Sequence, residues 1–285
     1  MLFAVCSQKM TPPKPEIQRL ACLEIKGGNE RAAYSMELPG LVAWVSSRPM
    51  APAARGGDLH YLSVCSQGFV SRIALADVAG HGEVVSGAAV RLRDLLRRHA
   101  NEWDQSDVVR ELNDSFLMGA GGPEYATAVV LSHYSGSGEM LFTNAGHLPP
   151  LWHHAATNEW GLLMESTPYA REVADLPIGL IAGTPYSQTA VQLGTGDLLV
   201  LYTDGITEST NDSGAPLDLE GLLALARDLP AGSVEETGQA LLAGLETFRG
   251  ASPATDDETL LVMQACQTAG DWTLLATQLP SSDPA

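Results

Sequence analysis

The order in which hydrophobic periodicity changes along this chain is compatible with few folds. Apolar residues first alternate as in β-strands, then recur at three- and four-residue spacing over residues 84–99. A second helix follows, for which we take Ser106 as the N-cap, and strand patterns then resume before two more helices. Grouped strands with helices in pairs predict an α+β sandwich and argue against a strictly alternating α/β sheet.

The expected strands lie mostly in the middle of the chain. Between residues 20 and 47 we expect two or three short strands, broken at Gly27-Gly28-Asn29 and at Leu38-Pro39-Gly40. Residues 61–66 and 69–78 are expected to form a hairpin through Gln67-Gly68. Further strands are expected at 125–132, 140–145, 162–165, 187–193, 197–202 and 259–264, and late helices at 219–228 and 234–248, the second opened by a Ser233–Glu236 capping box.

Composition excludes several classes of protein. The 285 residues are 45% hydrophobic and carry a net charge of −18, which argues against disorder and against binding to nucleic acid or an anionic membrane. No apolar run reaches the ~18–20 residues of a membrane span. The four cysteines (Cys6, Cys22, Cys65 and Cys266) form no C-x-x-C pair, which favours reduced thiols in a cytoplasmic protein and argues against zinc.

We expect one folded domain over residues 20–266. The proline-rich residues 1–19 are expected to be flexible, and residues 267–285 to form a polar tail with a further strand at 272–277. Only about forty residues precede the first region with motifs, which leaves too little chain for a sensor domain there. Regulation of the protein's activity is therefore expected to come from a separate protein or from its level of expression.

Aspartates fall where buried strands meet glycine-rich or polar turns. Asp58 follows two glycines at a strand start, Asp77 and Asp204 end apolar strands, and Asp256-Asp257 precede another. Taken singly, each aspartate is more typical of a turn or a helix cap. Strands of one sheet can bring such ends together, where clustered carboxylates repel one another unless cations neutralise them. Oxygen-only ligands favour Mg²⁺ or Mn²⁺.

The sequence resembles the PPM-type (protein phosphatase 2C fold) metal-dependent serine/threonine phosphatases, and in particular their bacterial SpoIIE-like branch. The likeness covers residues 38–264 and rests on an ordered set of motifs: Gly56-Gly57-Asp58, Asp77-Val78-Ala79-Gly80-His81-Gly82, Tyr125-Ala126-Thr127-Ala128, Asn144-Ala145-Gly146-His147-Leu148-Pro149-Pro150, Leu176-Pro177-Ile178-Gly179-Leu180, Tyr202-Thr203-Asp204-Gly205-Ile206-Thr207-Glu208 and Asp256-Asp257-Glu258-Thr259-Leu260. It implies a two-sheet antiparallel β-sandwich flanked by helix pairs (αββα), with a metal site at one edge.

The resemblance also implies the site residues. Two Mn²⁺ or Mg²⁺ ions would be held by four carboxylates and one backbone carbonyl, with Asp77 bridging both ions and a metal-bound water attacking phosphorus. Asp257 is the alternative to Asp256, which we favour from the family's Asp-Asn variants. The implied ligands, which are also the implied catalytic residues apart from Val78, are Asp58, Asp77, Val78, Asp204 and Asp256.

Several positions depart from the family pattern. Eukaryotic members carry a histidine two residues after the bridging aspartate, whereas His81 lies four residues after Asp77, so the general-acid role does not transfer. For the family's phosphate-binding arginine, Arg48 and Arg55 are the candidates, with surface roles favoured. His147 is interpreted as a buried turn residue and the His153-His154 pair as structural.

Three functions remain open on the sequence. The leading one is hydrolysis of phosphoserine or phosphothreonine on a bacterial regulatory protein, by resemblance a STAS-type anti-anti-sigma factor. The others are a catalytically inactive regulatory module of the same fold and a hydrolase of small phosphate esters. Four arginines on one predicted helix (Arg91, Arg93, Arg97 and Arg98) are interpreted as a solvated face, with docking of an acidic phosphoprotein as the alternative.

Overall fold

Two β-sheets stacked face to face, with helices on both outer faces, form the molecule. The computed structural model describes residues 17–80, 82–102, 104–119, 124–164, 175–229 and 232–266. The described strands are β1 (Gln18–Arg19), β2 (Ile25–Glu30), β3 (Ala32–Leu38), β4 (Leu41–Arg48), β5 (Arg55–Val64), β6 (Val70–Val78), β7 (Ala126–Tyr134), β8 (Glu139–Ala145), β9 (Leu151–His154), β10 (Glu159–Leu162), β11 (Thr189–Gln192), β12 (Leu198–Tyr202) and β13 (Glu258–Ala265).

The strands divide into a seven-stranded sheet, in the order β1-β3-β4-β13-β12-β9-β10, and a six-stranded sheet, in the order β11-β8-β7-β6-β5-β2. Pairing is antiparallel in both sheets except between β1 and β3. The described α-helices are α1 (Ser86–Arg98), α2 (Gln105–Gly119), α3 (Asp204–Thr207), α4 (Asp218–Arg227) and α5 (Val234–Arg249), and a short 3-10 helix (Gly82–Val84) precedes α1. This arrangement confirms the expected α+β fold, a two-sheet β-sandwich flanked by helix pairs.

Alternation along the strands builds three apolar layers. On β6, Ile73 and Leu75 point between the sheets, while Ala74 and Ala76 face α1 and α2. The small alanines let the helices approach the sheet closely. On the other side of the sandwich, the outer face of the seven-stranded sheet packs under α4 and α5. Because both sheets are covered on both faces, their central strands bury apolar residues on both faces.

The same alternation orients the strand that carries Asp58. Leu59 and Tyr61 face α1, so Asp58 and Leu62 face the seven-stranded sheet. β5 begins at Arg55, six residues before the expected start at residue 61, and Gly56-Gly57-Asp58 therefore lies inside the strand. The candidate carboxylate projects into the interior of the sandwich from a rigid element.

Several local expectations were wrong. Gly27-Gly28-Asn29 does not break a strand: β2 runs through it, and glycine is required because a Cβ at Gly27 would lie 2.2 Å from the His60 carbonyl oxygen. Ser106 does not cap α2, which begins at Gln105. The Asp104 carboxylate caps it, accepting a hydrogen bond from the Asp107 backbone N–H at 3.1 Å.

The other expectations about element boundaries had mixed outcomes. The strand expected at 162–165 overlaps β10 only at Leu162, and the sequence did not reveal the β9–β10 hairpin, because its alternation is interrupted by histidines and a turn. The Ser233–Glu236 capping box is confirmed. Gln18–Arg19, expected to be flexible, pairs with β3, whereas most of the N-terminal segment and the expected strand at 272–277 lie outside the described residues. No described helix has the length and apolar character needed to cross a membrane.

Candidate metal centre

Two of the predicted aspartates form a cross-strand pair. Asp58 on β5 lies directly opposite Asp77 on β6, a position in which side chains share one face of the sheet. Asp58 is 3% exposed and accepts a hydrogen bond from the Thr203 hydroxyl at 2.7 Å. A buried carboxylate beside a half-buried one is costly unless something offsets their charge.

The remaining aspartates approach the pair from the other sheet. Asp204 is the first residue of α3, two residues after β12 ends, and Asp256 lies two residues before β13 begins. Thr203 joins the two sheets here, because its hydroxyl donates to Asp58 and accepts from the Thr259 backbone N–H. The structure therefore gathers residues that lie far apart in the sequence at one end of the sandwich.

The Val78 carbonyl lies at the same place. A Cβ at Gly57 would come within 2.9 Å of the Val78 carbonyl oxygen. Glycine at this position therefore allows the end of β6 to lie against the start of β5, which gives a physical reason for the Gly-Gly-Asp motif.

Burial and mutual repulsion dominate the electrostatics. Burial raises the pKa of Asp58 well above its ordinary value, and the Asp257 and Asp204 charges raise it further. The pKa of Asp77 is likewise raised, first by burial and then by its four acidic neighbours, which are Asp58, Asp204, Asp256 and Asp257. The carboxylates thus act on one another as a cluster, and cations bound there would relieve their repulsion.

Asp257 has a structural role that Asp256 does not share and that the sequence did not indicate. Its two carboxylate oxygens accept hydrogen bonds from three backbone N–H groups, those of Met50 at 2.7 Å, Gly57 at 2.7 Å and Gly82 at 3.1 Å. Asp257 is 2% exposed and fixes three separate segments around the site. Asp256 is half-buried, and one of its oxygens accepts from the Asp257 backbone N–H. Because its oxygens already bind backbone groups, Asp257 is the poorer metal ligand of the two.

His147 is a buried structural residue, as expected. Its Nδ1 lies 2.8 Å from the Thr127 hydroxyl and its Nε2 lies 3.1 Å from the Tyr202 carbonyl oxygen. Burial lowers the pKa of His147 to about 4, so the ring is neutral at physiological pH, with Nε2–H donating to the carbonyl. The bond links the end of the six-stranded sheet to β12, directly before Asp204.

The other cationic and histidine candidates mostly make contacts with residues outside the carboxylate cluster. Arg48 pairs with Glu246 of α5, and Arg55 makes a forked pair with Glu30. The α1 arginines divide, since Arg91 pairs with Glu124 and Arg93 with Asp94, whereas Arg97 and Arg98 are exposed. His153 and His154 stack on Trp160 and Trp152. His81 lies outside the described residues.

The donor set fits hard divalent cations by its chemistry. Its side chains are carboxylates, and the nearby Val78 carbonyl adds an oxygen, a combination that suits Mg²⁺ or Mn²⁺ better than zinc. Within the part of the chain that the structure describes, no three His, Cys, Asp or Glu side chains are already arranged to hold an ion. Binding of cations at these carboxylates would therefore require their oxygens to change position.

Comparison with known proteins finds relatives in sequence and in structure. The sequence profile of the Stage II sporulation protein E (SpoIIE) family matches residues 69–265. The phosphoserine phosphatases RsbP and RsbU of Bacillus subtilis (strain 168) are 24% identical over 196 residues and 25% identical over 200 residues. Each alignment covers 67% of this chain, with 45% of RsbP and 55% of RsbU, so the chain spans about half the length of these curated relatives.

A solved structure shares the fold. The catalytic domain of the serine/threonine protein phosphatase PstP, crystallised with two manganese ions, superposes with a TM-score of 0.54 at 16% identity. The superposition covers 79% of this chain and 98% of that domain. The family profile spans well over half of this chain and reaches from β6 to β13. The chain therefore belongs to the SpoIIE family, the SpoIIE-like branch of the PPM-type phosphatases.

Proposed function

We propose that this protein is a metal-dependent protein serine/threonine phosphatase. The observation that carries the proposal is the convergence of five aspartates from both sheets at one end of the sandwich, with the pKa values of Asp58 and Asp77 raised by burial and by their neighbours. A binding module that performed no chemistry would gain nothing from keeping repelling carboxylates in its interior.

The proposed ligands are Asp58, Asp77, Asp204, Asp256 and the Val78 carbonyl, holding two Mn²⁺ or Mg²⁺ ions. When bound, such ions polarise water for attack on phosphorus and offset the charge of the phosphoryl oxygens. PstP, which shares the fold, was crystallised with two manganese ions.

The chain's own residues orient this site. The Thr203 hydroxyl fixes the Asp58 carboxylate, and Asp257 holds the start of β5 and the loop after β6 in place through Gly57 and Gly82. Asp77 and Asp204 remain partly open to solvent, which leaves an approach for a phosphorylated side chain. The site is therefore rigid on its inner side and accessible on its outer side.

We propose that the substrate is a phosphoserine or phosphothreonine on a bacterial regulatory protein, and specifically on a STAS-type anti-anti-sigma factor. Similarity to the phosphoserine phosphatases RsbP and RsbU supports the class of substrate. We place the enzyme in the cytoplasm, which is consistent with the free thiols of Cys22, Cys65 and Cys266.

The test is turnover by the purified protein of phosphorylated STAS-domain proteins from its own source. Phosphotyrosine and nucleotides serve as substrate controls, each assayed with Mn²⁺ and with a chelator. Release of phosphate from phosphoserine only when Mn²⁺ is present is the expected result. Turnover of nucleotides alone would instead identify a small phosphate-ester hydrolase, and no turnover with Mn²⁺ bound would identify an inactive regulatory module.

A further inference from the structure

A cleft with a basic rim lies beside the edge strand β2, apart from the carboxylate cluster. Its volume is about 420 Å³, within the ~300–1,000 Å³ typical of small-molecule sites. Four cationic side chains from different elements line it: Lys26 on β2, Arg31 between β2 and β3, Arg55 on β5 and Arg93 on α1. In a chain of net charge −18, such a concentration of positive charge calls for an explanation.

Two of these cations have no acidic partner. Arg55 pairs with Glu30 and Arg93 with Asp94. Lys26 and Arg31 are exposed, and neither forms an ion pair with any residue in the described ranges. The Lys26 ammonium lies 5.3 Å from the centre of the Tyr34 ring, which holds it over the cleft. The rim therefore presents the unneutralised positive charges of Lys26 and Arg31 to a ligand in the cleft.

The wall of the cleft contains polar atoms that lack hydrogen bonds. The Tyr34 hydroxyl oxygen and His60 Nδ1 are shielded from solvent, and within the described part of the chain neither has a hydrogen-bond partner. His60 is 2% exposed, and its ring centre lies 5.8 Å from that of Tyr34. A buried polar atom left unpaired costs free energy. Because both atoms are closed to a water-sized molecule, ligand oxygens would reach and satisfy them only if the Tyr34 and His60 side chains shifted toward the cleft on binding.

From these observations we propose that the cleft is a binding site for an organic phosphate of metabolite size. Guanidinium and ammonium groups form their strongest hydrogen bonds with oxyanions, and phosphate offers enough oxygen atoms to engage several cations at once. A concave site with buried polar atoms suits a small molecule better than a flat protein surface.

The cleft is mechanically connected to the carboxylate cluster. Asn29 on β2 donates from its side-chain amide to the Gly56 carbonyl at 2.9 Å and to the Ser86 carbonyl at 3.1 Å. Gly56 lies two residues before Asp58 on β5, and Ser86 begins α1. A ligand that restricts the movement of β2 and α1 would therefore also restrict the backbone of β5 that positions Asp58.

The test is calorimetric titration of the full chain with phenylphosphonate, which a phosphatase does not hydrolyse, in buffer with a chelator. The chelator removes metal-dependent binding at the carboxylate cluster, so this result is independent of the proposed catalytic function. We expect saturable binding that Lys26→Ala with Arg31→Ala weakens at least about tenfold. Tyr34→Phe, which removes only the hydroxyl, should weaken binding severalfold. Arg98→Ala, an exposed cation on α1 outside the cleft, is the matched control and should have no effect.

Benzoate, which has the same ring and a carboxylate in place of the phosphonate, provides the second arm and should bind more weakly than phenylphosphonate. Absence of saturable phosphonate binding, equal affinities for the two anions, or equal losses in the cleft variant and in Arg98→Ala would each overturn the proposal.

Discussion

At the scale of single residues, the Asp58–Asp77 pair shows how a fold can hold a destabilising feature. The pKa of Asp58 is raised in the folded chain, so the native state retains a proton at pH values where the unfolded state has lost it. Without metal, stability should therefore fall as pH rises from about 4 through neutrality, by about 1–3 kcal/mol in total. Urea unfolding across this pH range in a chelator measures the slope, and Asp58→Asn should flatten it. An unchanged slope in that variant would show that other groups cause the dependence.

The neighbours Asp256 and Asp257 should respond differently to the same substitution. Asp257→Ala leaves three backbone N–H groups without their acceptor, so the free energy of unfolding should drop by about 2–4 kcal/mol. Asp256→Ala should cost about 1 kcal/mol or less in metal-free protein, because its side chain is only half-buried. Denaturant unfolding of both variants with a chelator present compares them directly. Equal losses would contradict the division between a structural carboxylate at Asp257 and a proposed metal ligand at Asp256.

At the scale of secondary structure, Arg72 on β6 fixes the end of α1. Its guanidinium donates to the carbonyls of His99 and Glu102, both at 2.6 Å, and it is 2% exposed. Arg72→Met should lower the free energy of unfolding by about 2–4 kcal/mol, because both carbonyls lose their charged donor. Arg72→Lys should lower the free energy of unfolding by less than Arg72→Met does. It should still fall short of the wild type, because one ammonium cannot match the planar guanidinium as a donor to both carbonyls. Arg110→Ala, which removes an exposed arginine paired with Asp107, is the control for thermal unfolding and should change little. Similar losses in the Arg72 and Arg110 variants would refute this role.

Sequence patterns predicted these elements unevenly, for physical reasons. The helices were predictable because their buried faces repeat every three or four residues, as Ala88, Leu92 and Leu95 show on α1. β2 was misjudged because Gly27 normally indicates a turn, whereas here it accommodates the close backbone of β5. The N-cap of α2 was misplaced by two residues because Asp104 and Ser106 both suit that role, and only the hydrogen bonds distinguish them.

At the scale of the whole molecule, the site depends on the stacking of two sheets that the sequence cannot show directly. The motif order predicted a set of site aspartates, and their proximity in the structure depends on contacts between segments far apart in the chain, such as Thr203 with Asp58. The role of Asp257 could not be predicted, since its partners are backbone N–H groups in three different segments. Side-chain type alone carries no information about such partners.

The position of the cluster between the sheets leads to a last prediction, about metal binding and global stability. Asp77 comes from the six-stranded sheet and Asp204 from the end of β12 in the seven-stranded sheet, so ions held by both would link the two sheets. Such binding stabilises only the folded chain, by about 2.7 kcal/mol when Mn²⁺ is at one hundred times its dissociation constant. Mn²⁺ should therefore raise the thermal unfolding midpoint of the wild-type chain, which should still unfold in one cooperative transition.

Asp77→Asn and Asp204→Asn should each lose most of this shift together with most phosphatase activity, because each removes an anionic ligand. Asp228→Asn, an exposed carboxylate at the end of α4, should retain both the shift and the activity. A Mn²⁺ shift that persists in both site variants would place the ions elsewhere on the molecule.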